Sequence, residues 1–166
     1  MSDGCEIRSF DYVNDPYEMV RDALRQDALA IFQAATKGAV SRARSVAAEL
    51  HVNLGGLEIG TDISISVTSI EERARELHGS PATSLQLEWE AAKSPRLFPF
   101  MKAEFSIYPL TATETQLDFS GLYKPPLGVL GSAINTIFAH RIAEVSVHRF
   151  VADVAAYLRT TLPTTV

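Results

Sequence analysis

The feature that most constrains the fold is a long helical stretch in the last third of the chain, residues 123–158. Prolines at 125 and 126 open it, and no proline or glycine interrupts the sequence between Gly131 and Pro163. Because proline is tolerated in a first helical turn but not inside a helix, this pattern predicts one C-terminal helix over residues 127–159. Its uninterrupted part is roughly 40 Å long, about the width of a small domain. A helix of that length needs a broad apolar partner.

The middle of the chain supplies that partner, because apolar and polar residues alternate there with a period of two. A first strand is predicted at Cys5–Val13. The inward-facing residues of the later strands are Val46, Ala48, Leu50 and Val52; Ile59, Ile63, Ile65 and Val67; Leu85, Leu87, Trp89 and Ala91; Met101, Ala103, Phe105 and Ile107; and Leu117, Phe119 and Gly121. One apolar and one polar face per strand is typical of an antiparallel sheet that is wet on one side.

Two short helices are predicted between the first strand and the rest of the sheet. Asp15 caps the first helix, with Pro16 at its first position and Glu18 at the capping-box spacing. The polar group at 25–27 divides the helical region, and Gly38 is expected to end it. The period-two pattern over residues 42–68 then predicts a hairpin, and the charged residues 69–82 predict a connection.

Length and charge bound the class of protein. The 166 residues fit one domain, 1–166, without repeats or a linker, and the net charge of −5 argues against nucleic acid as a partner. No apolar run approaches the length of a membrane span. Cys5 is the only cysteine, and the N-terminal residues lack the pattern of a signal peptide. We therefore expect a cytoplasmic protein without an internal disulfide.

One local stretch resembles a known superfamily. The segment GLYKPPLGVLG at 121–131, followed by RIAE at 141–144 and the apolar helix at 147–158, is similar to the final-strand-to-helix passage of bacterial SRPBCC proteins. The order of elements resembles the START-like, birch-pollen-allergen-like and polyketide cyclase-like superfamily over nearly the whole chain. The sequence carries no catalytic signature that identifies one branch.

This resemblance implies an α+β helix-grip fold, in which a curved antiparallel sheet wraps around the long C-terminal helix, with two short helices after the first strand. It also implies a deep cavity between the sheet and that helix, which binds apolar small molecules or lipids. Members of the superfamily include aromatase/cyclases. A shared fold specifies function much less tightly than architecture.

The long helix carries two apolar stripes about half a turn apart. The first contains Leu127, Ile134, Phe138, Ile142 and Val145. The second contains Ala143, Val147, Phe150, Val151, Val154 and Leu158. If the helix is straight and the second stripe faces the sheet, that face becomes small and polar towards its start, at Ala139, Thr136 and His140. Space for a cavity is then expected there. In the alternative, the helix bends or begins near Ser132, and both stripes serve one core.

The first stripe predicts either a covered surface or an interface. Left bare, these side chains would form a larger apolar patch than soluble monomers usually expose. We expect a homodimer formed through Ile134, Phe138, Ile142 and Val145 about a two-fold axis. The alternative is that a loop or the short helices cover the stripe.

The candidate pocket residues share the inward parity of the strands or lie near the start of the long helix. They are Trp89, Phe105, Phe119, Tyr123, Thr136 and His140. Thr61 and Thr115 share that parity, as does the hydroxyl of Tyr123, and each is either a satisfied core group or a polar group that orients a ligand. Leu97 and Phe98, in the apolar loop at 94–100, are a candidate lid.

Metal and cofactor chemistry have little support. His140, Glu144 and His148 follow one another at helical spacing, but the row drifts around the helix and lacks a fourth ligand. A solvated row of side chains is the preferred interpretation, so we expect no metal and no cofactor. The HExxH and GxSxG motifs are absent from the sequence.

Three functions remain open. The leading hypothesis is a non-enzymatic carrier or sensor for an apolar small molecule, such as a lipid, an isoprenoid or an aromatic polyketide. The first alternative is an aromatase/cyclase-type enzyme, in which His140 or Tyr123 moves a proton in a water-poor pocket. The second is a protein-interaction module with a filled core and no functional pocket.

Overall fold

In the part of the chain that the structure describes, five strands form one antiparallel sheet in the order β1-β5-β4-β3-β2, and two helices pack on it. The computed structural model describes residues 5–49, 63–74, 80–91, 101–123 and 136–162. The elements are β1 Cys5–Val13, α1 Tyr17–Glu49, β2 Ile63–Ala74, β3 Pro81–Ala91, β4 Met101–Thr111, β5 Glu114–Tyr123 and α2 Thr136–Thr161. The predicted α+β class is confirmed, as is the helix-grip arrangement of an antiparallel sheet with a C-terminal helix.

Alternate residues of the strands are buried on one face of the sheet, as the period-two pattern predicts. The buried side chains of this face are Ile7, Ser9, Val13, Ile65, Thr83, Leu85, Leu87, Met101, Ala103, Phe105, Ile107, Thr115, Leu117 and Phe119. The opposite face carries mostly polar side chains, so one side of the sheet belongs to the core and the other meets solvent.

Both helices pack on the buried face. α2 contacts β1 and β5, α1 contacts β2, β4 and β5, and the two helices contact each other. Phe32 of α1 joins the layers, because its ring centroid lies 5.2 Å from that of Phe105 in the sheet and 5.8 Å from that of Phe150 in α2. Phe150 also meets Phe119 at 5.9 Å. These four rings form an aromatic cluster at the centre of the core.

The start and the division of the first helical region are confirmed. The Pro16 carbonyl accepts hydrogen bonds from the N–H groups of Met19 and Val20, at 3.0 and 3.2 Å, which closes the first turn of α1. Asp27 has non-helical angles, φ −133° and ψ 24°, so α1 kinks where the polar group at 25–27 predicted a break. The region therefore consists of two helical segments, before and after Asp27, that follow each other across a kink, and α1 denotes both.

The predicted end of α1 at Gly38 is wrong, since the helix continues to Glu49. Gly38 lies against α2, and a Cβ atom there would overlap the Asp153 carboxylate. The glycine therefore permits close approach of two helices instead of ending one of them. The strand predicted from Val46 and Ala48 is also wrong, because both residues are helical. The rest of that hairpin, at 50–62, lies outside the described residues.

β2 extends past its predicted end, to Ala74, and β3 begins at Pro81. The pairing of β2 with β3 shifts between Val67 and Ser69, which leaves one extra residue in β2 and pairs Ile70 with the inward Leu85. Such a bulge interrupts the alternation of apolar and polar residues in the sequence. The charged segment after Thr68 therefore did not resemble a strand.

The second apolar stripe of α2 is buried as predicted: Ala143, Val147, Phe150, Val151, Val154 and Leu158 are all in the core. Of the first stripe, Val145 is half-buried. Leu127 and Ile134 lie outside the described residues, as do the side chains of Phe138 and Ile142. The homodimer therefore remains a prediction. Neither described helix has an apolar stretch long enough to cross a membrane.

α2 runs alongside the edge strand β1 and in the same direction. His148 Nδ1 lies 2.9 Å from Ser9 Oγ. Farther along both elements, Arg159 donates from Nη2 to the Tyr12 carbonyl at 2.6 Å and to Asp11 Oδ1 at 3.0 Å. The N-terminal half of α2 therefore extends towards the Cys5 end of β1.

Candidate ligand site between the sheet and the C-terminal helix

The strand register arranges the inward residues in rows across the sheet. The aromatic row consists of Ser9, Phe119, Phe105 and Leu85. The small row, next to it, consists of Ile7, Gly121, Ala103 and Leu87. The end row consists of Cys5, Tyr123, Met101, Trp89 and Ile65. Along β4 and β5 the inward side chains thus shrink from phenylalanine to alanine and glycine between neighbouring rows.

The helix facing these rows changes in the same direction. On the buried face of α2, Phe150 is followed towards the N-terminus by Val147 and then Ala143. Because His148 lies beside Ser9 of the aromatic row, Ala143 lies on the side of the small row and the end row. The sheet layer therefore narrows at Ala103 and Gly121, before the larger side chains of the end row, and α2 carries Ala143 on the same side. We call this side of the molecule, which includes the small row and the end row, the small end.

Two alanines at the small end retain slight solvent exposure. Ala103 is 7% exposed and Ala143 is 8% exposed. Phe105, Ile107 and Val154, in the middle and at the opposite end of the core, are each 0% exposed. The two alanines that face this end from opposite layers thus retain residual access.

Gly121 serves a packing role within the small row. A Cβ atom at this position would lie 2.8 Å from the Met101 sulfur and 2.8 Å from a ring carbon of Phe119. Those two side chains therefore occupy the volume that a larger residue would need.

The backbone places four predicted pocket residues at the small end. Trp89 and Tyr123 flank Met101 in the end row. At 1.5 Å per residue, His140 lies roughly 12 Å before His148 along α2, and Cys5 lies roughly 13 Å before Ser9 along β1. The backbones of His140 and Thr136 therefore reach the end row from the helix side. The side chains of these four residues lie outside the description.

Phe105 and Phe119 form part of the aromatic cluster, at 0% and 2% exposure. Thr115 lies at the opposite end of the sheet, paired with Val13, and its hydroxyl donates to the Asp15 carbonyl at 2.7 Å. It is thus a satisfied core group away from the other candidates. Thr61, Leu97 and Phe98 lie outside the described residues.

Ser9 and His148 form a polar contact that sequence reasoning missed. Ser9 is buried in the aromatic row, and its hydroxyl lies 2.9 Å from His148 Nδ1. A polar residue at the inward parity of a strand, between Ile7 and Val13, was the available signal. Within the described parts of the chain, no group of three His, Cys, Asp or Glu side chains is placed to hold a metal. His148 contacts Ser9, and the side chain of His140, the first member of the His140–Glu144–His148 row, lies outside the described residues.

A groove of about 490 Å³ lies on the surface and shares Ile65 with the end row. It runs between the kink of α1 and the edge strand β2. Its lining includes Arg25, Ala28, Leu29, Ile65, Val67 and Ile70. Arg25 also pairs with Glu72 of β2 at 2.7 Å, so this ion pair ties the kink to the sheet edge.

No family model matches this sequence, and neither does any curated protein. The solved structure of Ara h 8.0201 aligns with 95% of this chain and 99% of its own, at 6% identity and a TM-score of 0.46. The Zhui aromatase/cyclase from a Streptomyces species covers 93% of each chain, at 15% identity and a TM-score of 0.45. A conserved protein from Geobacillus kaustophilus covers 95% of this chain and 97% of its own, at 10% identity and a TM-score of 0.43.

Likenesses with TM-scores below 0.5 carry no inference about what this chain binds. The helix-grip fold of the protein is established by its own order of elements and its sheet topology.

Proposed function

We propose that the protein binds an apolar small molecule at the small end, between the sheet and the N-terminal half of α2, and acts as a carrier or sensor without catalysing a reaction. The observation that carries this proposal is the coincident loss of volume on both facing layers. Phe105 gives way to Ala103 along β4, and Phe150 gives way to Ala143 along α2. A filled core would compensate a small residue on one layer with a large one on the other.

The chemistry of the rows supports an apolar ligand. The described side chains of the small row and the end row are Ile7, Leu87, Ala103, Met101 and Ile65, and none of them carries a charge. A ligand there gains roughly 25 cal/mol for each Å² of apolar surface that it removes from water. A lipid, an isoprenoid and an aromatic polyketide all meet this requirement. Native mass spectrometry of freshly purified protein would reveal the class of a retained ligand.

Two alanines on the buried face of α2 allow a matched test. We expect Ala143→Leu, at the small end, to abolish uptake of the neutral dye N-phenyl-1-naphthylamine and to change the free energy of unfolding by less than about 1 kcal/mol, because its added carbons enter open space. Ala155 is 0% exposed in the packed end. Ala155→Leu should cost about 1–3 kcal/mol through overpacking and leave dye uptake by folded molecules unchanged.

Ala152→Leu, on the exposed side of the same helix, is the control for the substitution itself. Dye fluorescence and urea unfolding are measured on all three variants. Equal destabilisation by Ala143→Leu and Ala155→Leu, with no dye uptake by the unmodified protein, would show that both ends of the core are filled and would overturn the proposal.

A further inference from the structure

Ser9 is an unusual residue for its position. It is 5% exposed and occupies the aromatic row, where its neighbours across the strands are Phe119, Phe105 and Leu85. Burying a hydroxyl among apolar side chains is unfavourable unless it forms a hydrogen bond. The contact with His148 Nδ1 satisfies this need. An alanine or valine at this position would avoid the free-energy cost of burying a hydroxyl, so packing alone does not account for the serine.

The bond to His148 leaves the Ser9 hydroxyl with further capacity. A serine hydroxyl donates one hydrogen bond and accepts two, and the imidazole nitrogen uses one of these positions. Ser9 adjoins the small row, since Ile7 lies on the same face of β1, roughly 6.6 Å away. A ligand seated on the small row would therefore meet this hydroxyl at its inner end. Ser146 of α2 is also buried, but it already has a partner.

His148 acts as a positioning residue for this hydroxyl. Its ring is exposed, and Nδ1 reaches inward from α2 to the edge strand. The contact favours one orientation of the hydroxyl, because a serine side chain otherwise exchanges among three staggered rotamers about its Cα–Cβ bond. An oriented hydroxyl forms a hydrogen bond with less loss of entropy than a mobile one.

We propose that Ser9, oriented by His148, binds a single hydroxyl or carbonyl oxygen of the ligand. This inference rests on the proposed function and narrows its ligand class. The preferred ligands are apolar molecules with one such oxygen at the end that enters first, rather than pure hydrocarbons. Anions are disfavoured, because the described side chains of the small row and the end row offer no cation.

Two compounds of the same shape test this proposal by displacing N-phenyl-1-naphthylamine. They are 2-naphthol, which carries a hydroxyl, and 2-methylnaphthalene, which carries a methyl group in its place. Ser9→Ala should weaken binding of 2-naphthol about 2- to 10-fold, the effect of one hydrogen bond, and leave 2-methylnaphthalene unchanged. Because both compounds are measured on one sample, the ratio of their affinities is independent of the folded fraction. Ser120→Ala, on the outer face of β5, is the control and should change neither affinity.

The positioning role of His148 is tested in the same assay. His148→Leu should reproduce the selective loss of 2-naphthol binding. His148→Asn should restore most of it, because the asparagine amide can replace Nδ1 as the partner of Ser9. If Ser9→Ala weakens both compounds equally, or neither, the assignment of Ser9 is wrong while the proposed function stands. If the unmodified protein takes up no dye, both fail together.

Discussion

Buried hydroxyls tie the start of α1 to the sheet, at the end of the molecule opposite the small end. Tyr17 and Thr83 are buried, and their side-chain oxygens lie 2.6 Å apart. Thr115 donates to the carbonyl of Asp15, just before the helix. The parity of the strands predicted that Thr115 points inward, but the sequence does not reveal a partner 100 residues away. Polar contacts of this kind specify where the helix begins relative to the sheet.

The Tyr17–Thr83 contact predicts a non-additive pair of mutants. Thr83→Val keeps the shape of the side chain but leaves the Tyr17 hydroxyl buried without this partner, so it should cost about 1–3 kcal/mol of stability. Adding Tyr17→Phe removes the stranded hydroxyl and should recover part of that loss. Urea unfolding of the two single mutants and the double mutant measures the coupling. Strictly additive changes would show that the two hydroxyls do not depend on each other.

Among the elements, α1 shows that a glycine can either end a helix or allow two helices to approach closely. Gly38 resembles a helix stop in the sequence, yet the structure uses it where α1 crosses α2, beside Arg149 and Asp153. These two side chains form an ion pair at 3.0 Å. A local sequence signal cannot distinguish the end of a helix from a helix crossing, because the neighbour lies more than 100 residues away. The kink at Asp27 was predictable because the polar group at 25–27, on which the prediction rests, lies at the kink itself.

The crossing predicts that the effect of Gly38→Ala depends on Asp153. In the unmodified protein, the new methyl group displaces the Asp153 carboxylate, which opposes the gain in helix propensity. In an Asp153→Ala background that obstacle is gone, and Gly38→Ala should stabilise the fold by up to about 1 kcal/mol. Thermal unfolding of the four proteins provides the comparison. An equal gain in both backgrounds would mean that the helices do not approach closely at Gly38.

For the whole molecule, the sequence predicted the layers well, and the ligand site remains a prediction. Alternation and helical periodicity are local patterns, so they revealed the sheet, the final helix and its buried stripe. The sequence also predicted the decrease in residue size towards the start of α2. The sequence also contains the change from Phe105 to Ala103 along β4. Only the strand register shows that Ala103 belongs to a row on the same side of the molecule as Ala143 of α2. The inward parity of Ser9 was a local signal, but its contact with His148, 139 residues away, was not predictable from local patterns.

The solvent-facing side of the sheet carries a carboxylate, Glu104, whose contribution to stability is lost in acid. Burial raises the pKa of Glu104, but hydrogen bonds from Gln86 and Ser106, at 2.9 and 3.0 Å, and the charge of Arg73 outweigh it and leave the pKa below its ordinary value of 4.5. Its contribution is therefore complete above that value and is lost as the pH falls through the lowered pKa.

We expect Glu104→Gln to reduce the slope of the free energy of unfolding against pH below pH 4.5. The difference in free energy should stay well under about 1 kcal/mol, because the group is largely solvent-exposed. Gln86→Ala should have a similar effect, since it removes the first of the stabilising donors. Urea unfolding between pH 3 and pH 6, a range chosen to span the ordinary carboxyl pKa of about 4, gives the slopes. Parallel curves for the three proteins would contradict the assignment.

The position of β1 beside β5 has a consequence for synthesis on the ribosome. Within the described residues, the first strand pairs with the last one alone, so Val13 waits for Thr115 across roughly 100 residues of chain. At 5–20 residues per second, that wait is on the order of 5–20 s. During this time the inward side of β1, including Ile7 and Ser9, lacks both its partner strand and α2. The nascent chain therefore passes through a period in which a chaperone that binds extended apolar segments would find β1 available.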